Sequence, residues 1–256
     1  MIIPLFTLFF LILLYSSGNW LSNKSNIIFL VLVTLVLILM VTFRSPFTPD
    51  YQNYLGLFDY EHENKEVGYL LLIRLAKRLT SSPLGMFLLS ALLSVTLKIV
   101  AIRKMSPFFY LSLITYVSNI FILHDMIQMR CAIASGIILW SVYFFSRKEY
   151  LYYLFSALLA FSFHYSAIII FLLPLLSGQG FNRYIALGAM LIVYVLAIFG
   201  VGFGYLWSKV TYGIFANMWE IYSGKMDNGE LVTINIFNTI FLFRFILCSI
   251  LVINYT

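Results

Sequence analysis

The sequence has few charged residues: Asp, Glu, Lys and Arg together make up 10% of its 256 residues, against about 25% in soluble domains. So few charges could not cover the surface of a soluble protein, and they exclude a disordered chain, whose composition is polar. Hydrophobic residues make up 62% instead, and runs such as 27–43 and 184–203 are close to or beyond the ~18 residues that cross a bilayer. The composition therefore predicts an all-α, polytopic integral membrane protein.

Functional cysteines and ligand-binding motifs are also lacking. The two cysteines, Cys131 and Cys248, both lie in apolar segments and predict neither a disulfide nor a metal site. The net charge of +6 does not indicate nucleic-acid binding, which needs a basic patch on a water-exposed fold. No nucleophile elbow, phosphate loop or nucleotide-binding glycine motif is present in the sequence. We therefore expect no metal, no cofactor and no nucleic-acid partner.

Seven apolar segments have about the length of the hydrocarbon core. An eighth segment, 150–176, would run ~40 Å as one helix, well beyond the ~30 Å core, and carries His164 near its middle. Two short helices that meet near His164, as in a re-entrant hairpin, fit this segment better. We therefore predict about 7–9 membrane helices. The seven segments are residues 2–20, 26–43, 83–101, 107–123, 131–145, 183–203 and 231–254.

Lysine and arginine in short loops predict the orientation, since such loops stay in the cytoplasm. The connections 102–106 and 146–149 each carry two basic residues, so both are expected inside. The segments 44–82 and 204–230 then form external loops, and every acidic residue except Glu149 lies outside. The predicted organisation is one membrane domain over residues 1–256.

The external segment 44–82 contains candidate sugar-binding residues. Aspartate at the start of a helix can be an ordinary cap, and tyrosines at this depth can form an interfacial belt. Aromatic faces beside carboxylates also hold sugar rings and their hydroxyls, so both interpretations stay open. The residues concerned are Arg44, Asp50, Tyr51, Tyr54 and Glu66.

Three arginines have unusual positions. Arg74 shares a helix face with Lys77 and Arg78, which fits either an amphipathic helix on lipid head groups or a cationic wall for an anionic substrate. Arg130 opens a membrane helix, where an arginine costs up to ~3 kcal/mol, and the positive end of that helix points the same way. Arg244 lies within an apolar run, so it is expected to face the bundle interior.

Three more side chains complete the set of candidates. Asp125 and Gln128 have the spacing of a capping box, which predicts a structural role for both. His164, at the tip of the predicted hairpin, fits either a histidine bonded to a backbone carbonyl or a proton acceptor near neutral pH. A hairpin tip would carry it into a cavity at membrane depth.

These segments resemble the EpsG/Wzy-type polysaccharide polymerases of bacterial membranes. The resemblance covers about residues 40 to 176 and rests on an ordered set of arginine, tyrosine, acidic, small and histidine positions. Pro49 departs from the glycine of the family pattern, and Cys131 departs from a polar residue. The matching positions are Arg44, Asp50, Tyr51, Tyr54, Glu66, Gly68, Tyr69, Gln128, Arg130, Ala132, Ala134, Phe163, His164, Ser166 and Ala167.

The resemblance implies a glycosyltransferase that acts without a metal. It would link oligosaccharide repeat units, carried on undecaprenyl pyrophosphate, into O-antigen, capsule or exopolysaccharide at the outer face of the bacterial cytoplasmic membrane. The implied partners are that lipid-linked oligosaccharide and the bilayer, together with chain-length regulator and flippase proteins. The chain is shorter than the family's usual length, which fits either a compact member or a C-terminal truncation.

The implied reaction needs cations at the departing pyrophosphate and a base for the attacking hydroxyl. Arg130 is the first choice for the cation, because a guanidinium fits phosphate oxygens in bidentate geometry. His164 or Asp50 is the expected base. The expected substrate-binding residues are Arg44, Tyr51, Tyr54, Glu66, Arg74, Gln128 and Arg244.

Two other classes of protein stay open. A lipid-linked oligosaccharide flippase would explain the cations and the helices, but it would have two symmetry-related halves, and the sequence shows no internal repeat. An O-antigen ligase-like transferase would share the chemistry but usually carries a larger external loop than 44–82.

Overall fold

The computed structural model describes residues 2–17, 23–60, 65–176, 183–198 and 246. Every element in these residues is helical, which confirms the all-α class for the described part of the chain. A π-helical segment, Tyr116–Asp125, follows α6, and a 3-10 segment, Tyr165–Leu172, follows α8. The α-helices are α1 (Ile2–Ser17), α2 (Asn23–Thr42), α3 (Tyr51–Asp59), α4 (Val67–Leu79), α5 (Pro83–Met105), α6 (Phe109–Thr115), α7 (Met129–Ser146), α8 (Tyr150–Phe163), α9 (Leu173–Leu176) and α10 (Arg183–Ile198).

The chain forms two compact units, Met1–Leu173 and Pro174–Thr256. The first contains α1 to α8, the π segment and the 3-10 segment. In the second, α10 occupies the start of the predicted span 183–203. The predicted external loop 204–230 and Arg244 lie outside the described residues, as does the span 231–254 except for residue 246. A single membrane domain therefore stays a prediction.

Two of the described helices are long and apolar enough to cross a membrane. They are α5 and α7, with mean hydropathies of 2.1 and 1.4. Helix α5 begins as predicted at Pro83, a favoured first residue, and the Ser82 Oγ caps it by accepting the N–H of Leu84 at 3.3 Å. The predicted total of seven to nine membrane helices stays a prediction.

Helix α7 packs against α5 and α8. The approach to α5 is close at Gly136, where a Cβ would lie 3.1 Å from the Cβ of Leu97. Trp140 Nε1 also donates a hydrogen bond to the Leu97 carbonyl at 3.1 Å. Small residues let membrane helices approach closely, so Gly136 sets the distance between α5 and α7.

The predicted span 107–123 is helical from Phe109, but the helix changes from α-helical to π-helical after Thr115. The π segment that follows has wider turns, which are rare and are often found at functional sites. At its end, Asp125 is fully buried, and its Oδ2 lies 2.7 Å from the Nζ of Lys98 on α5. The predicted capping box is therefore wrong, because the Asp125 carboxylate pairs with an interior cation and the Gln128 side chain does not cap α7.

The predicted break near His164 is present. Helix α8 ends at Phe163, and His164 has an extended backbone, with φ −157° and ψ 123°, before the 3-10 segment begins. The hydroxyl of Tyr153, near the start of α8, donates to the carbonyl of Ile170 at 2.8 Å. Residues this far apart can meet only if the chain reverses, since α8 alone rises ~15 Å over ten residues. The segment is therefore a hairpin with His164 at its tip.

Candidate functional site

Glu66 lies at the start of α4, against the end of α8. The helices approach closely because Gly68 has no side chain: a Cβ there would lie 2.9 Å from the Ser162 carbonyl oxygen and 3.1 Å from the Phe163 ring. This approach carries Glu66 into the interior, where it is only 2% exposed. A buried carboxylate needs cationic or hydrogen-bonding partners.

The Glu66 carboxylate binds one candidate residue on each oxygen. Arg130 Nη1 donates to Oε2 at 2.6 Å, and His164 Nδ1 lies 3.2 Å from Oε1. The side chains of Arg130 and His164 remain 25% and 30% exposed. Three residues that are far apart in the sequence therefore form one polar group, in which the carboxylate is the buried member.

The charge state of Glu66 follows from these contacts. Burial alone would raise the pKa of Glu66, but the hydrogen bond with His164 and the positive charge of Arg130 lower it to about 2. The carboxylate is therefore ionised at neutral pH and can only accept hydrogen bonds. A neutral His164 must then donate its Nδ1–H to Glu66, which leaves Nε2 as the basic nitrogen.

Arg44 is a second buried cation, only 4% exposed, in the loop after α2. Its Nε donates to the Val41 carbonyl at 2.9 Å, its Nη1 donates to the Met126 carbonyl at 2.8 Å, and its guanidinium lies 5.0 Å from the Phe87 ring centroid. None of these three partners is a carboxylate. Burial accordingly lowers the pKa of Arg44 from its ordinary value.

Aromatic side chains pack beside these charged groups. The rings of Tyr54 and Tyr69 lie 5.9 Å apart, and Tyr51 stacks on Phe87 at 5.2 Å between centroids. Tyr54 also interacts with Arg130, although burial is the larger effect and raises the pKa of the Tyr54 hydroxyl. Tyr54 is thus a neutral side chain that can donate a hydrogen bond at physiological pH.

Two buried arginine nitrogen atoms in this region have no hydrogen-bond partner within the described ranges. Tyr69 interacts with Tyr54 and with both site arginines, so these atoms belong to one neighbourhood. Unmatched buried polar groups are uncommon, because each costs about 1–3 kcal/mol. The site therefore offers free donors to a ligand rich in acceptors, such as a phosphate or a sugar. The atoms are Arg44 Nη2 and Arg130 Nε, whereas the Tyr69 and Ser90 hydroxyls interact with each other.

The model of the EpsG family matches residues 27–255, almost the whole chain. The chain belongs to the EpsG family. Family membership indicates polysaccharide biosynthesis and suggests a polymerase. No curated protein and no solved structure matches the chain.

Three further candidate residues of this EpsG-family chain are exposed. Asp50 has a left-handed backbone with φ 65°, which aspartate tolerates better than most residues, and its Oδ1 accepts from Asn53 Nδ2 at 3.0 Å. Gln128 precedes α7 without capping it, and Arg74 is on the exposed face of α4. Their predicted roles in catalysis and substrate binding stay predictions.

Sequence reasoning missed the buried pair that Lys98 and Asp125 form. The Tyr116 hydroxyl donates to the same Asp125 Oδ2 at 3.1 Å, so this carboxylate oxygen has two partners. A signal was available, because a lysine inside an apolar span is as unusual as the arginines that the sequence analysis singled out. The partner could not be identified, since Asp125 also fitted a capping motif.

Proposed function

We propose that this EpsG-family protein is a multi-pass membrane glycosyltransferase. It polymerises oligosaccharide repeat units carried on undecaprenyl pyrophosphate into O-antigen, capsule or exopolysaccharide at the outer face of the bacterial cytoplasmic membrane. The observation that carries the proposal is the Glu66 carboxylate, which is bonded to both Arg130 and His164. A histidine oriented by a carboxylate, beside one buried and one partly exposed guanidinium group, is suited to activating a hydroxyl next to a pyrophosphate.

In the proposed reaction, the acceptor sugar hydroxyl attacks the anomeric carbon of the donor. The new glycosidic C–O bond forms while the bond from the anomeric carbon to the pyrophosphate oxygen breaks, and pyrophosphate keeps the electron pair. His164 Nε2 takes the hydroxyl proton, because Glu66 already accepts the Nδ1–H. The lipid pyrophosphate then departs with an added negative charge, which fixed cations must stabilise.

The contacts of Arg130 and Arg44 change which of the two is the better candidate for binding pyrophosphate. The sequence favours Arg130 as the cation for pyrophosphate, but the charge of Arg130 is already matched by Glu66 at 2.6 Å. Arg44 is the better choice, because it is buried among carbonyls and aromatic rings and keeps Nη2 free of any described partner. We therefore assign the pyrophosphate to Arg44, and the fixing of the Glu66–His164 pair to Arg130.

The charges of five residues in and next to the candidate site support an anionic substrate. Three cations, Arg44, Lys98 and Arg130, accompany two carboxylates, Glu66 and Asp125. One positive charge among these five residues is therefore unmatched by the protein. An unmatched charge in a poorly hydrated interior is unfavourable, and a phosphate would complete the balance.

The membrane arrangement is part of the same proposal. The helices α5 and α7 are long and apolar enough to cross a bilayer, and the basic loops at 102–106 and 146–149 favour a cytoplasmic location for the ends of both helices. The end of the bundle that carries Arg44, Glu66 and the hairpin tip at His164 then faces the outside. Chain-length regulator and flippase proteins are the proposed partners.

Substitution of Arg44 by lysine tests the function. In a strain that lacks the chromosomal copy, the Arg44→Lys protein should reach normal abundance. Its polymer should fall by ~10²-fold, the loss expected when one preorganised donor is removed. Arg147→Lys is the matched control, because Arg147 is exposed and pairs with Glu149 at 2.8 Å. Polymer is measured as a ladder on a gel, normalised to protein level.

Three results would contradict the proposal in different ways. Normal polymer from Arg44→Lys removes Arg44 from the mechanism, and normal polymer from His164→Gln removes His164 as the base. If the deletion strain accumulates precursor that faces the cytoplasm, the protein is a flippase. Single repeat units attached to the acceptor in that strain are the result expected for a polymerase.

A further inference from the structure

The pair of Lys98 and Asp125 lies deeper in the helix bundle than the residues assigned to the reaction. Both side chains are almost completely buried, at 1% and 0% exposure, and they meet at 2.7 Å. Breaking such a pair is costly, but exchanging both members for apolar residues of similar volume is often neutral or stabilising. A contribution to stability alone therefore does not explain why this pair is present.

The position of Asp125 connects the pair to Arg44. Asp125 ends the π segment, and the next residue, Met126, offers the carbonyl that accepts Arg44 Nη1 at 2.8 Å. The Asp125 Oδ2 is held by both Lys98 and Tyr116. The Asp125 side chain is thus fixed by Lys98 on α5 and by Tyr116 in the π segment. This fixed side chain sets the orientation of the backbone that follows, including the Met126 carbonyl.

The spacing of the helices gives Lys98 little freedom to move. Gly136 on α7 is so close to α5 that a Cβ there would lie 3.6 Å from Lys98 Cγ and 3.4 Å from the Ser94 carbonyl oxygen. The lysine stem is therefore confined between α5 and α7. The ammonium group of Lys98 therefore has a fixed position, and the Asp125 carboxylate at the end of the π segment binds to it.

We infer that Lys98 and Asp125 are positioning residues: their ion pair holds the Met126 carbonyl so that Arg44 keeps its free guanidinium edge toward the substrate. The inference rests on the function proposed above, because it gives Arg44 a ligand to receive. Neither residue touches the substrate. Without the pair, the Met126 carbonyl loses its fixed direction and Arg44 loses one of its two described hydrogen bonds.

The test separates positioning from stability with paired substitutions. Lys98→Met and Asp125→Leu are each expected to lower protein abundance, since each leaves one buried charge without its partner. The double variant removes both charges, and it is made in a Tyr116→Phe background because that hydroxyl would also lose its acceptor. It should recover wild-type abundance and melting temperature in detergent. Its polymer should nevertheless remain several-fold below the wild-type level.

Chemical labelling provides a readout that does not depend on activity. Phenylglyoxal modifies accessible arginines, and peptide mass spectrometry locates the adduct. Labelling of Arg44 should rise several-fold in the double variant, because its guanidinium is no longer held at the Met126 carbonyl. Labelling of Arg147, which is exposed and distant in the sequence, should stay unchanged.

Each outcome decides between the two proposals. A folded double variant with protected Arg44 overturns the positioning role, as does one with normal polymer. If Arg44 labelling rises but wild-type protein makes no polymer, the positioning role stands and the proposed function fails. Should the double variant not accumulate, Asp125→Asn keeps the side-chain shape and removes the charge. Increased Arg44 labelling in that variant supports positioning, and unchanged labelling contradicts it.

Discussion

The contact between α4 and α8 at Gly68 gives the sharpest quantitative prediction. In Gly68→Ala, the new Cβ would lie 2.6 Å from Ser162 Oγ and 2.9 Å from the Ser162 carbonyl oxygen. The hydroxyl can rotate away, but the carbonyl belongs to the last turn of α8 and cannot. Since non-bonded atoms pack best at about 3.5 Å or more, the start of α4 must move away by roughly 0.5 Å.

This displacement acts directly on the proposed base. The His164 Nδ1 and the Glu66 Oε1 are 3.2 Å apart, and a further ~0.5 Å takes them beyond hydrogen-bond distance. If a 1 Å misplacement costs about 10²-fold in rate, half of that distance predicts a loss of polymer of about tenfold. Stability should change by only about 1–2 kcal/mol, because overpacking is partly offset by the better helix propensity of alanine.

Gly56→Ala is the matched control, since a Cβ on Gly56 meets nothing within 4 Å. It should leave polymer normal and stabilise the protein slightly, by up to about 1 kcal/mol. Both variants are compared as polymer ladders normalised to abundance, with melting temperatures in detergent. A normal ladder from Gly68→Ala would refute the reasoning. Ser162→Ala added to Gly68→Ala should give no rescue, because the carbonyl remains.

Two further predictions concern Glu66 and the topology. The pKa of Glu66 is about 2 against an ordinary value of 4.5, so its contribution to stability is complete above pH 4.5 and is lost as the pH falls toward 2. Wild-type protein should lose about 2 kcal/mol more than Glu66→Gln between pH 7 and pH 3, and parallel melting curves would contradict this. Cysteines at residues 50 and 164 should react with an impermeant reagent in intact cells, whereas one at residue 104 should not; labelling at 104 would reverse the orientation.

Much of the site could be predicted from the sequence because charges inside apolar segments are few. Arg130 and His164 stood out for their positions, and the length of the segment 150–176 required a break near the histidine. The sequence could not show that Glu66 contacts both residues, because Glu66 is 64 positions from Arg130 and 98 positions from His164. The close packing at Gly68 brings the start of α4 to the hairpin tip.

The Asp125 prediction failed for a different physical reason. Capping-box spacing assumes that an ordinary α-helix begins after a loop, but Asp125 is the last residue of a π segment. A π turn holds more residues than an α turn, so the helical face assigned to each side chain shifts along the segment. Spacing arguments lose their basis there. A buried partner such as Lys98 then decides where the carboxylate points.

The comparison of Arg44 with Arg130 shows why an unusual position is an incomplete guide to function. Arg130 was conspicuous because an arginine at the start of a membrane helix is costly, yet Glu66 compensates that cost within the protein. Arg44 lies outside the predicted spans and was less conspicuous, although its contacts are carbonyls and an aromatic ring. A group that binds an anion must keep charge and donors that the fold has not already used. By that criterion, the strongest candidate for the pyrophosphate is Arg44.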